Sequence, residues 1–175
     1  SDVIQIFIPE LTNSIIQYTL NAIMRSPLDA NIRMAILLKD IPNVKEILER
    51  LKYSSAEQTV ILNCIKYSTK SLTSKIELKQ FLSKLNIPFD IYHTYRYAID
   101  TDYPRYNMLA YYHEIQDARE PYLLKHLAID GNTIKGIGYQ GKEIADVLHA
   151  CLDEVIHHPE NNDAKILIDI IKRTD

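Results

Sequence analysis

The chain has 175 residues with a formal net charge of −3, four glycines, seven prolines and two cysteines. That length can bury a substantial core in one domain or two small ones, and the charge excludes a strongly basic nucleic-acid protein while leaving a local basic face open. Cys64 and Cys151 sit singly among apolar helical neighbours, so reduced thiols are expected rather than a disulfide framework, and no zinc-ligand spacing is present. With no charged and apolar leader and no apolar run long enough to span a bilayer, the chain reads as cytoplasmic and without a membrane partner.

Pro9 and Glu10 read as the first turn of a helix carrying Ile15, Ile16, Leu20 and Ile23, closed by Pro27. Asn31 to Leu38 is apolar nearly all round and is expected at the buried centre of the N-terminal part, before Ile41-Pro42-Asn43 breaks it. Val44, Ile47, Leu48 and Leu51 keep a helical stripe. Ser54 with Glu57 forms a capping box for a helix through Val60, Ile61, Cys64 and Ile65, and Ser74 with Glu77 repeats the signature ahead of Leu78, Phe81, Leu82 and Leu85. Pro88 opens a helix toward Ile99, and Pro104 one to about Glu120. From Leu127 to Ile156 comes a glycine-rich turn and a helix with Ile144, Val147, Leu148, Cys151 and Val155 at three- and four-residue steps. His157-His158-Pro159 turns the chain into a last short helix with Ile166, Leu167, Ile170 and Ile171. Two-residue alternation is nearly absent, so the fold class is all-α, a helical array.

Charge is unevenly spread. Residues 66–97 hold Lys66, Lys70, Lys75, Lys79, Lys84 and Arg96 against Glu77 and Asp90, a local +4, whereas the segment from His126 carries five basic and nine acidic residues. Lysines one helical turn apart, such as Lys75 and Lys79, followed closely by Tyr92, Tyr95, Tyr97, Tyr103 and Tyr106, suit an RNA-contacting surface: cations meet phosphates and rings stack on bases or riboses. Solvated lysines and half-buried tyrosines give the same pattern, so both readings stay open. All four glycines, Gly131, Gly136, Gly138 and Gly141, lie in the turn before the long C-terminal helix. Gly136-Ile137-Gly138 ahead of a helix start, with Lys135 and Lys142 nearby, fits a backbone phosphate cradle, while a turn that packs two helices closely fits equally well.

Other chemistry is sparse. Asp100-Thr101-Asp102 has the form of a Mg²⁺-binding pair but sits at a helix end before a proline, where a solvated turn is expected. His157 and His158 near Glu160 lack a third ligand, and His93, His113, His126 and His149 are scattered singly, so no hydrolytic triad can be argued from spacing.

The line LAIDGNTIKGIGYQGKEIADVLHACLDEVI, with the polar turn at Asn161 and Asn162 after it, resembles the C-terminal tail of bacterial CCA-adding enzymes, the tRNA nucleotidyltransferases of the poly(A) polymerase family. Leu127, Ile129, Gly131, Ile134, Gly138, Gly141, Ile144, Leu148 and Val155 fit that pattern. Independently, IFIPELTNSIIQYTLNAIMRSPLDANIRMAILLKDI resembles the HD-type helical region of the same family through Pro9, Glu10, Leu11, Thr19, Leu20, Ala22, Ile23, Arg33, Ala35, Leu37, Leu38, Asp40 and Ile41. The HD metal ligands do not survive: Tyr18 replaces the first histidine, Lys39 replaces the histidine of the HD pair, and the next histidine-bearing loop is missing between Ile41 and Val44. An ammonium does not ligate a divalent metal while protonated, so Asp40 is expected to cap or to salt-bridge.

The resemblance implies a degenerate HD-like helical region at 1–70, a helical body at 71–125 and a tail at 126–175. It implies a tRNA-binding C-terminal half of a tRNA nucleotidyltransferase that holds the T arm and acceptor stem, with Lys66, Lys70, Lys75, Lys79, Arg96, Arg105, Lys135, Gly138, Gly141 and Lys142 as RNA contacts. Nothing in the sequence resembles the nucleotidyltransferase head, so Mg²⁺ and ATP or CTP are implied for that head, in the same or another chain. No catalytic residue, metal site or cofactor is assigned to these residues. The competing expectation is a catalytically inactive HD-derived regulatory or protein-interaction domain.

Overall fold

A computed structural model describes residues 2–174. Among them are eleven α-helices and no strand, which places the fold in the all-α class. The helices are α1 (Asp2–Phe7), α2 (Asn13–Arg25), α3 (Ala30–Leu38), α4 (Val44–Arg50), α5 (Ser55–Lys66), α6 (Lys75–Leu82), α7 (Phe89–Ile99), α8 (Arg105–Asp117), α9 (Gly131–Gly136), α10 (Lys142–His157) and α11 (Ala164–Thr174). None is long and apolar enough to cross a membrane. The chain forms two compact units: Ser1–Ser71 with Leu85–Arg105, and Leu72–Lys84 with Tyr106–Asp175.

The first unit is built around α3, which packs against α2, α5 and α7. Ile32, Ala35, Ile36 and Leu38 are buried, as expected of a segment apolar nearly all round. Asp29 caps α3 by accepting from the Ile32 N–H at 2.8 Å. Tyr92 and Tyr95 of α7 are fully buried against this core. The end of α7 is closed by Arg25, whose Nε and Nη2 donate to the Ala98 carbonyl at 3.0 and 2.7 Å, supplying a partner that the last turn of a helix lacks. Ser54 and Glu57 make the full capping box expected of α5. At α6, Ser74 accepts from the Glu77 N–H, but the Glu77 carboxylate turns to the Thr73 N–H and hydroxyl, so the cap is spread over two residues.

Two N-terminal expectations are corrected. Pro9 and Glu10 form a turn, and α2 starts after Thr12, whose hydroxyl accepts from the Ile15 N–H. Leu20, expected on the apolar face, is 39 % exposed.

The second unit is organised by α10, which packs against α6, α9, α11 and the short 3-10 turns Leu124–His126 and Pro159–Asn161. Its core holds Ile129, Ile134, Cys151, Leu152, Val155, Ile156, Leu167 and Ile171. Asn162 ties the segment entering this core: its amide nitrogen donates to the His126 carbonyl and its amide oxygen accepts from the Ala128 N–H, both at 2.9 Å. One side chain thus serves two backbone groups that no helix satisfies.

Candidate nucleic-acid interface

In the first unit the four expected contacts have different fates. Lys66 closes α5, exposed, with Nζ 4.9 Å over the Tyr67 ring, and Lys70 is exposed in the following turn. Arg105 lays its guanidinium 4.3 Å over the Tyr97 ring. Arg96 is not on the surface. It is buried in α7, pairs with Asp100 at 2.8 Å and stacks on Tyr103, while its Nε has no hydrogen-bond partner. A buried, paired guanidinium cannot reach a phosphate without opening the core, so Arg96 is removed from the RNA contacts.

In the second unit Lys79 is buried and Lys75, one helical turn before it, is part-exposed, and both turn to one carboxylate. Lys79, 2 % exposed, donates to one oxygen of Glu120 at 2.7 Å, and Lys75 donates to the other at 2.8 Å and lies 3.5 Å from Glu114. Burial acts to raise the Glu120 carboxyl, but hydrogen bonds from Lys75 and Lys79 outweigh it and hold the group below the ordinary carboxylate range. The pair expected to lead an RNA surface is instead an internal charge cluster. Glu120 lies more than 40 residues along the chain from either lysine, at the end of a helix and before Pro121, and no local pattern could have joined them.

The glycine-rich turn keeps its cations free. Residues Gly131–Gly136 are not a loop but α9 itself, capped by Asp130, which accepts from the Thr133 N–H and hydroxyl at 2.9 Å. A Cβ on Gly131 would meet Ile144 at ordinary contact distance, so close packing of α9 on α10 accounts for that position. Gly138 has φ +115° and Gly141 has φ +56°, a backbone that L side chains rarely adopt. Gly141 is the N-cap of α10 and brings no side chain to it, so the helix entrance is open apart from Glu143, which accepts from the Gln140 N–H at 3.2 Å. Lys135 in the last turn of α9 and Lys142 at the start of α10 are exposed, and neither has an ion-pair partner among the described residues. Lys125, missed in the sequence, is exposed in the preceding 3-10 turn.

Three positions that the sequence singled out through the HD pattern meet in space. The Lys39 ammonium pairs with Asp40 and lies 5.1 Å over the Tyr18 ring. Asp100 caps the end of α7, pairs with Arg96 and accepts from the Asp102 N–H at 3.0 Å, so its carboxylate is spent inside the turn. His157 engages the Asp153 carbonyl and His158 faces Glu160, each with its own partner. Among the described residues no group of three or more His, Cys, Asp or Glu side chains is placed to hold a metal ion. Both cysteines are buried free thiols, and burial pushes that of Cys64 up to about 12.

Two cavities lie within the second unit. One, about 300 Å³, is walled by apolar side chains of α10 and α11 with Glu154 at its edge. The other, about 220 Å³, has a mixed lining, with Gln80, Lys84, His149 and Asp153 beside Leu152 and Ile156. Comparison of the chain with protein-family models, with curated proteins and with solved structures gives no match.

Proposed function

We propose that this chain is the RNA-holding helical half of a tRNA nucleotidyltransferase, with the chemistry of CCA addition, its Mg²⁺ and its ATP or CTP belonging to a head outside these 175 residues. The observation that carries the reading is the turn from Gly138 to Lys142. Two glycines with positive φ deliver α10 with an N-cap free of side chain; Lys142 is its first residue and Lys135 lies in the last turn of the preceding helix, both exposed and without an ion-pair partner among the described residues. N–H groups at a helix start together with mobile cations suit the phosphates of an A-form stem, which is held by shape and backbone rather than by base edges. The resemblance supports the same reading: Ile129, Ile134 and Val155 are core residues, Leu127, Ile144 and Leu148 pack on them, Gly131 opens α9, and Gly138 and Gly141 occupy the turn before α10. The site residues contract accordingly to Lys135, Gly138, Gly141 and Lys142, with Lys66, Lys70 and Arg105 of the first unit as further contacts. Cytoplasmic tRNA, through its T arm and acceptor stem, is the partner.

A gel-shift titration of the chain with tRNA at rising salt tests the reading. Binding that weakens linearly in log affinity against log salt is expected, since each neutralised phosphate releases a counterion. No shift at low salt overturns it. The second reading, an inactive interaction domain, is favoured by one observation: Lys75, Lys79 and Arg96 are each held by a carboxylate of the protein itself.

A further inference from the structure

We infer that the cavity between α10 and α11 binds a small aromatic amine, with the ring among the apolar walls and the ammonium on Glu154. On α10 the lining residues Val147, Ala150, Cys151 and Glu154 recur at the three- and four-residue steps of one stripe, and Ile170 and Ile171 form the wall from α11. Tyr139, set between the positive-φ residues Gly138 and Gly141, completes the lining. Ala150 is exposed, so the cavity reaches solvent at that position. A volume of about 300 Å³ lies at the lower end of the range for small-molecule sites, and an apolar cavity of about half that volume holds one benzene ring. A single ring with a short side chain fits the space.

The chemistry of the walls selects the guest. Among the described residues Glu154 is the one charged member of the lining. One of its carboxylate oxygens accepts from the Asn161 side-chain amide at 2.7 Å, which fixes the group, and the other has no hydrogen-bond or ion-pair partner among the described residues. Burial and then the Glu154 charge push the Cys151 thiol up, so at neutral pH the sulfur is uncharged and a single negative charge stands at the edge of a largely apolar space. An ammonium supplies both the counter-charge and the donors that the second oxygen lacks, whereas a carboxylate guest sets like charges together. A ring is favoured over an alkyl chain because the lining offers it a tyrosine and a polarisable sulfur.

This inference is independent of RNA binding. Ligand-observed NMR on the whole chain is expected to show saturable binding of phenethylamine at neutral pH with a dissociation constant on the order of 1 mM, the range open to so small a molecule. Phenethyl alcohol and hydrocinnamate, its neutral and anionic counterparts, are expected to bind at least about tenfold more weakly. Glu154→Gln, which keeps an oxygen for Asn161 and removes the charge, is expected to bring the amine down to the level of the alcohol. Ala150→Phe, at an exposed position of the lining, is expected to fill the opening and abolish binding. The comparison of the three ligands on the unaltered chain stands even where a variant is less stable. Phenethylamine binding that does not saturate, that is no tighter than that of either counterpart, or that survives either substitution overturns the inference.

Discussion

The ammonium of Lys79, buried to 2 % exposure, lies 2.7 Å from a carboxylate oxygen of Glu120, and the other oxygen of the same carboxylate is held by Lys75. Two cations thus share one acid. Removing that acid leaves a buried ammonium without its counter-charge. Glu120→Ala is expected to destabilise the protein by about 3–5 kcal/mol in urea unfolding, whereas the pair Lys79→Met with Glu120→Leu, which takes both charges away, restores most of the loss. The depressed Glu120 carboxyl contributes stability that is present above the ordinary carboxylate pKa and is lost as the pH falls through its lower folded value. A double variant no more stable than Glu120→Ala would show that packing rather than charge sets the cost.

The same geometry reorders the expected effects on RNA affinity. Lys135→Glu with Lys142→Glu should lower tRNA affinity by about tenfold or more and flatten the salt dependence, because both are exposed cations flanking the glycine turn and neither has an ion-pair partner among the described residues. Lys79→Met should leave affinity nearly unchanged in whatever fraction remains folded. Equal losses from the two sets, measured by filter binding, would return the interface to α6.

His93 supplies a pH signature. The ring packs edge-on against Phe89 and Tyr103, and its Nε2 lies 3.1 Å from the Arg105 carbonyl. A carbonyl only accepts, so Nε2 carries the proton of a neutral ring. Burial, followed by the nearby Arg105 charge, pushes the imidazole down to about 4. The unfolded chain therefore binds the proton more readily than the folded one. Stability is whole above the unfolded pKa of about 6.5 and falls as the pH drops from there to about 4, by on the order of 2–4 kcal/mol. His93→Gln should be less stable at neutral pH but much flatter across that window. An unchanged slope would assign the acid sensitivity to other groups, of which His126, also lowered by burial, is the first to test.

Glycine substitutions separate backbone strain from space. No atom lies within 4 Å of a Cβ built on Gly136 or on Gly141, yet Gly136 closes a helix with ordinary φ and Gly141 has φ +56° with ψ −124°. Gly136→Ala should therefore stabilise by about 0.4–1 kcal/mol through the unfolded chain, and Gly141→Ala should destabilise by about 1–3 kcal/mol. Thermal melts of the two variants that moved the same way would refute the assignment of Gly141 to a glycine-only backbone.

Periodicity and caps carried most of the helical plan. The apolar wrap of Asn31 to Leu38 marked the centre of the first unit, and Ser54-x-x-Glu57 marked a helix start, because both signals are local and each is satisfied within one turn. Local signals also explain the errors. Pro9 and Glu10 look like a first turn, but Thr12 has the side-chain oxygen that caps α2. Gly131 to Gly136 looks like a loop by composition, yet Asp130 starts a helix there. The site was less legible because a lysine reads the same whether it meets water or a carboxylate some forty residues away. Lys79 and Arg96 therefore looked like surface cations, while Lys135 and Lys142, set among acids in the sequence, are exposed and have no ion-pair partner among the described residues.

The strand of polypeptide changes unit three times, after Ser71, after Lys84 and after Arg105. During synthesis the first 71 residues emerge without α7, and with it are missing Tyr92 and Tyr95, two of the largest fully buried side chains of that unit. Its interior stays unfilled until residue 105 has left the ribosome, by which time α6 has already been made and must wait for α10, some sixty residues later. A gene cut near residue 70 would deprive the first unit of α7 and leave that helix stranded on the second, because the shortest continuous frames that encode the two units, residues 1–105 and 72–175, overlap over 72–105.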